Sequence, residues 1–205
     1  MPDAAAKPTA HVIDDDDEAR ASLAFLLSTA DLPVETYASA QAFLAVAAKA
    51  AGVVVTDVRM PEMDGMELVR RLAELGVRLP VIVMTGHADV PLAVAAMKAG
   101  VVDFIEKPYD GEAMLAAIRQ ALARHGESQA RDDERADFVR RIDGLSPRER
   151  QVLGGLVAGK PNKVIAYDLD ISPRTVEIYR AHVMTKMQAQ SLSELVRMAL
   201  LAGAA

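Results

Sequence analysis

Val53-Val54-Val55-Thr56-Asp57 is a run of β-branched residues that ends on a carboxylate, and Val81-Ile82-Val83-Met84-Thr85 repeats the form with a hydroxyl at its end. Continuous apolar runs of this length lack the two-residue alternation of a half-exposed strand. They fit strands covered on both faces of a parallel sheet. Read outward from these two, the first 126 residues alternate β-rich runs with helical stretches. Strands are predicted over 10–14, 34–37, 53–57, 80–85 and 101–106. Helices are predicted over about 17–30, 39–48, 65–75, 89–99 and 110–125. Ser39 is placed to cap the second helix and Gly100 to end the fourth. Five β-α units in succession predict an α/β fold with a five-stranded, doubly wound parallel sheet.

The chain changes character after that. Residues 127–141 are dense in charge and hold no Gly or Pro, which predicts an exposed helical linker. After Asp143-Gly144 the pattern is entirely helical. Ser146-Pro147-Arg148-Glu149 is a capping box with Pro at the first helical position, opening a helix to about Ala158. Asn162 is expected to cap a short helix to Leu169, and Ser172-Pro173 to open another reaching about Ala189. Ser191-Leu192-Ser193-Glu194 is a second capping box. The domains expected are therefore 1–126, a linker over 127–141, and an all-α domain over 142–205. The short helix, the break at 170–172 and the longer helix form a helix-turn-helix.

Composition bounds the function. With 51% hydrophobic and 25% charged residues, 205 residues suffice for two packed cores. Cysteine is absent, which excludes disulfides, cysteine-ligated zinc and thiol catalysis. No run approaches membrane-spanning length and no secretory h-region opens the chain, so a cytoplasmic location with no membrane contact is expected. The net charge of −6 is unevenly spread: residues 1–126 carry 11 Lys/Arg against 18 Asp/Glu, residues 142–205 carry 8 against 6. An acidic front and a mildly basic back suggest modules with different partners.

In an open parallel sheet, ligands bind beyond the carboxyl ends of the strands. Here those ends are Asp14-Asp15, Asp57, Thr85 and, after the fifth strand, Lys107-Pro108. Three carboxylates, a hydroxyl and an ammonium are thus expected in one crevice. Clustered carboxylates repel unless a cation neutralises them, and hard oxygen ligands suit Mg²⁺. Such a crevice with one accessible Asp can accept a phosphoryl group. Each residue also has an ordinary reading: Asp16 and Asp17 start a helix, Asp57 opens a turn, Lys107 is a solvated loop residue. It is their joint placement that is specific.

Val12-Ile13-Asp14-Asp15, Thr56-Asp57-Val58-Arg59-Met60-Pro61 with Asp64-Gly65, Met84-Thr85-Gly86-His87 and Phe104-Ile105-Glu106-Lys107-Pro108 resemble the receiver domain of two-component response regulators, a flavodoxin-like fold, and especially the FixJ type. Leu145-Ser146-Pro147-Arg148-Glu149, Asn162-Lys163, Ile165-Ala166 and Ile171 to Glu177 resemble the LuxR-type helix-turn-helix. The resemblance covers nearly the whole chain. It implies that Asp57 is the phospho-acceptor and that Asp15, Asp57 and the Arg59 carbonyl hold Mg²⁺, with Asp14 in support. Thr85, Phe104 and Lys107 would form the switch and the phosphoryl contact. Lys107-Pro108 is often cis in such proteins. Val90 and Val94 would lie on a dimerising surface.

The implied function is a phosphorylation-activated transcription regulator. A FixL-like sensor histidine kinase would be the phosphodonor, and homodimers would bind symmetric promoter DNA beside RNA polymerase, activating nitrogen-fixation or microaerobic genes. Val176, Tyr179, Val183 and Met187 share a helical face and should be core; Arg174, Glu177, Ile178, Ala181 and Thr185 share the other. If that helix enters a major groove, Arg174, Glu177, Ile178 and Ala181 approach base edges, while Lys163, Thr175, Arg180 and Lys186 approach phosphates. Glu177 departs from the many relatives with Lys there; it can accept from cytosine or disfavour wrong sites. Two other readings compete. One is a Mg²⁺-dependent phosphatase forming an aspartyl-phosphate on an Asp-x-Asp opening, against which no substrate cap is evident. The other is a protein-binding helical adaptor.

Overall fold

The computed structural model describes residues 7–86 and 90–203. Two compact units result, residues 1–127 and 128–205. In the first, β1 (Thr9–Ile13), β2 (Val34–Tyr37), β3 (Gly52–Asp57), β4 (Val81–Thr85) and β5 (Asp103–Glu106) form one parallel sheet in the order β2-β1-β3-β4-β5. Around it lie α1 (Asp17–Thr29), α2 (Ala40–Leu44), α3 (Gly65–Glu74), α4 (Val90–Lys98) and the start of α5 (Gly111–Asp143). The doubly wound sheet expected from the sequence is present.

Every residue of β3 and β4 is buried, because the pleat sends successive side chains to opposite, covered faces. Val53, Val55, Ile82 and Met84 meet Leu23 and Leu27 of α1 and Met114 and Ile118 of α5. Val54 and Val83 meet Phe43, Leu68, Leu72 and Ala96 on the other side. Each fully buried Val or Leu contributes roughly 1.5–3 kcal/mol. Two close approaches demand glycine. A Cβ on Gly52, whose φ is +126°, would stand 1.9 Å from the Thr9 carbonyl; one on Gly65 would stand 2.2 Å from the carbonyl of Asp57.

Some boundaries shift. The helix predicted over 39–48 is two pieces, α2 and a 3₁₀ turn at Ala47–Lys49, although Ser39 does cap it. The fifth strand begins at Asp103, since the chain leaves the turn at Gly100 (φ +88°) and bends at Val102 across the predicted start. The expected helix start at Asp89, His87 of the Thr85-Gly86-His87 phrase and the side chain of Val90 lie outside the described residues.

In the second unit, α6 (Pro147–Val157), α7 (Asn162–Asp168), α8 (Pro173–Met187) and α9 (Leu192–Leu201) pack around Val152, Leu153, Ile165, Val176, Val183, Met187 and Leu195. The Ser146–Glu149 capping box forms as read. Two capping expectations need correction. Pro161 takes the N-cap position of α7 without a side-chain bond, so Asn162 is already helical. At α9, Ser191 accepts from the Glu194 N–H, but Glu194 reaches back to the Gln190 N–H, one residue past the N-cap that a reciprocal box would use. Residues 127–141, expected as an exposed helical linker, are helical and mostly exposed, with Phe138 as the buried exception. Helix α5 runs unbroken to Asp143, and its Phe138 and Ile142 are buried in the core of the second unit.

Candidate functional site

Strand register decides which side chains can meet. Ile13 stands beside Thr56 and Asp57 beside Met84, so the residues that leave β1, β3 and β4 leave at one level. Asp14 is buried and Asp57 nearly so, at 2% and 7% exposure. Lys107, arriving beyond β5, donates to both: 2.7 Å to Asp14 Oδ2 and 2.6 Å to Asp57 Oδ1. Burial alone would lower the Lys107 pKa, but its hydrogen bonds and charge pairing with Asp14 and Asp57 outweigh that and raise it. The ammonium therefore stays charged between the two carboxylates. The Lys107-Pro108 peptide is cis.

The remaining carboxylate oxygens are held by backbone. Asp57 Oδ2 accepts from the Arg59 N–H at 2.6 Å, and Asp14 Oδ1 from the Asp16 N–H at 3.0 Å. Asp16 caps α1 by accepting from the Glu18 and Ala19 N–H groups, and the bonds from Ala19 and Glu18 lower its pKa. Asp64 caps α3 through the Glu67 N–H, and the Gly65 N–H donates 2.9 Å to the Val58 carbonyl, drawing the loop after Asp57 back over β3. Thr85 is buried at the end of β4, and the Thr85 carbonyl accepts from the Lys107 N–H at 2.7 Å. Phe104 is half-buried against the core, and Val94 is exposed on α4.

The crevice differs from expectation in one respect. Asp14 and Asp57 converge on Lys107, whereas Asp15 is exposed. Among the described residues, no three carboxylate or imidazole groups form a ready-made metal cage. The donors nevertheless suit Mg²⁺, which keeps several waters and is held by one or two carboxylates. Sequence reading missed Arg20, whose Nη1 donates 2.7 Å to the Asp14 carbonyl and whose Nη2 pairs with Asp17. The available signal was an Arg three residues beyond Asp17.

On α8, Val176, Val183 and Met187 are buried and Tyr179 is half-buried, as the helical face requires. Ser172 caps the helix through the Thr175 N–H, with the Thr175 hydroxyl 2.8 Å away. Glu177, Ile178, Ala181 and Lys163 are exposed, and Arg180 is half-buried. Arg174 is exposed and pairs with Glu177 at 3.3 Å, so neither projects alone. Lys186 is exposed and likewise paired. Its Nζ lies 2.7 Å from Glu149, a buried carboxylate whose pKa falls to about 2 because Lys186 and the Ser146 N–H bond to it.

Comparison with known proteins follows the same division. Residues 10–119 match the response regulator receiver domain, and residues 143–199 match the bacterial regulatory proteins of the luxR family. The transcriptional regulatory protein FixJ of Azorhizobium caulinodans is 59% identical over 95% of this chain and 93% of its own length. FixJ of Rhizobium meliloti is 54% identical over 95% and 96%. The chain belongs to the FixJ family of response regulators. Full-length FixJ from B. japonicum matches this FixJ-type chain with 50% identity and a TM-score of 0.61, covering 96% of it and 98% of that structure. The response regulator StyR matches with 37% identity and a TM-score of 0.85, covering 95% and 99%. A FixJ-type chain with both modules is a phosphorylation-dependent transcription regulator, its receiver answering a sensor kinase and its helix-turn-helix binding DNA. No described helix is long and apolar enough to cross a membrane.

Proposed function

We propose that a FixL-like sensor histidine kinase transfers its phosphoryl group to Asp57. The P–N bond of a phosphohistidine breaks as a P–O bond to the Asp57 carboxylate forms, and the imidazole takes a proton from water. The observation that carries this reading is Lys107, held charged against Asp57 at the strand ends of a chain that also has a helix-turn-helix. The same ammonium is placed to meet the added phosphoryl charge. Asp15, Asp57 and the Arg59 carbonyl would hold Mg²⁺, with Asp14 steadying the loop; the bound ion supplies charge stabilisation to the transferring oxygens.

Phosphorylation adds charge and acceptor oxygens at Asp57. The Thr85 hydroxyl turns toward them, and the half-buried Phe104 ring moves into the space vacated. The α4–β5 surface carrying Val90 and Val94 then pairs with a second copy. The two helix-turn-helix domains bind a two-fold symmetric promoter site, with Arg174, Glu177, Ile178 and Ala181 toward bases and Lys163, Thr175 and Arg180 toward phosphates. Lys186, exposed at the end of α8 and bonded to Glu149, is assigned to the phosphates with them. RNA polymerase recruitment in the cytoplasm, at nitrogen-fixation or microaerobic genes, completes the reading. The protein acts as a switch, not as a turnover enzyme.

The test is promoter-DNA binding and solution mass before and after treatment with a small acyl phosphate and Mg²⁺. Wild type should dimerise and bind more tightly, and Asp57→Asn should not respond. Equal responses in both proteins, or sustained turnover of phosphate esters, would overturn it.

A further inference from the structure

Arg20 sits in the first turns of α1 and, among the described residues, makes no bond to Asp57, yet its side chain folds back onto the Asp14 carbonyl and is only 17% exposed. It donates 2.7 Å to the Asp14 main-chain carbonyl and pairs with Asp17, while its own N–H closes onto the Asp16 carbonyl at 2.9 Å. Asp14 is thereby fixed at three points: one carboxylate oxygen by the Asp16 N–H, the other by Lys107, and its carbonyl by Arg20. Asp15 is the next residue along this tethered backbone, inside a run of four consecutive Asp. A run of like charges repels itself and favours spread conformations; a guanidinium bound to backbone and side chain together opposes that.

We propose that Arg20 is a positioning residue for the cation, setting the backbone from which Asp15 reaches it; this rests on the reading that Asp15 and Asp57 bind Mg²⁺. Two effects of Arg20 have opposite sign, which makes the proposal decidable. As a bare positive charge, Arg20 repels a divalent cation, so removing it should tighten binding. As a tether it orders the ligand loop, so removing it should weaken binding. Lysine keeps the charge but lacks the planar fork that serves the carbonyl and Asp17 together.

The experiment is a titration of the full chain with MgCl₂, followed by the backbone amide NMR shifts of residues 14–17 and 57–59. Wild type is compared with Arg20→Gln, Arg20→Lys and Asp17→Asn, with thermal unfolding as the check on folding. Both Arg20 variants should bind Mg²⁺ at least about three-fold more weakly. Asp17→Asn, which keeps the carbonyl tether, should lose less than Arg20→Lys. If Arg20→Gln binds as tightly as wild type or more tightly, or Arg20→Lys equals wild type, the proposal is overturned. Should Arg20→Gln not fold, Arg20→Lys decides alone. Wild type that binds no Mg²⁺ overturns the ion reading and this one together, whereas binding untouched by the variants overturns this one only.

Discussion

Two residues show how narrowly the chain is constrained around its chemistry. Gly65 begins α3 against the Asp57 carbonyl, where a Cβ would stand 2.2 Å from the oxygen. Gly65→Ala must push α3 away from the loop after β3, and overpacking of this kind costs about 1–3 kcal/mol. The expected result is a lower urea midpoint and slower phosphorylation of Asp57 by a small acyl phosphate. Glu149 binds fewer protons folded than unfolded, because Lys186 and the Ser146 N–H depress its pKa from 4.5 to about 2. Its contribution is therefore complete above pH 4.5 and lost as pH falls toward 2. The unfolding midpoint of wild type should exceed that of Glu149→Gln at pH 6, and the gap should narrow below pH 4.5 and close only as pH approaches about 2, in thermal scans across that range.

At the scale of elements, legibility followed burial. The runs 53–57 and 81–85 were readable because both faces of β3 and β4 are covered, which forces nearly every position to be apolar. Asp14, Asp57, Thr85 and Lys107 were readable as a group because parallel register brings strand ends together whatever lies between them. What escaped were interactions between residues distant in sequence. Lys186 has the spacing of a phosphate-facing residue, and its pairing with Glu149, 37 residues earlier, could not be read from that spacing. The split of α2 escaped because the alanine-rich stretch 45–50 carries no Gly or Pro to mark the break. The charge of 127–141 concealed Phe138, which is 4% exposed in the second core and has the Arg141 and Arg197 guanidinium groups within 5.9 and 6.0 Å of its ring. Phe138→Ala should destabilise the second unit by about 3–5 kcal/mol. Circular dichroism of urea unfolding should show helix lost earlier, with phosphorylation at Asp57 unchanged.

For the molecule as a whole, the proposed switch requires that a local event become an assembly. Val94 and Met97 are exposed at 46% and 54% on α4, the surface assigned to pairing. Val94→Glu should leave Asp57 phosphorylation intact while holding the treated protein at monomer mass. Promoter binding should then fall toward that of a single half-site, and light scattering with a fluorescence-anisotropy titration would record both. A dimer of normal mass in that variant would place the pairing surface elsewhere.

The complete burial of β3 has a kinetic side. Its amides pair with β1 and β4 and no edge of it meets water, so Val54–Thr56 can trade hydrogen for deuterium only when the whole unit opens. The outer strands β2 and β5 each have one unpaired side and half-exposed residues, and can open alone. Exchange slowest at Val54–Thr56 and fastest along β2 and β5 would mean that Asp57 is fastened to the most persistent part of its unit. The rearrangements that report its phosphorylation would then be left to the periphery, on a clock many times quicker than unfolding.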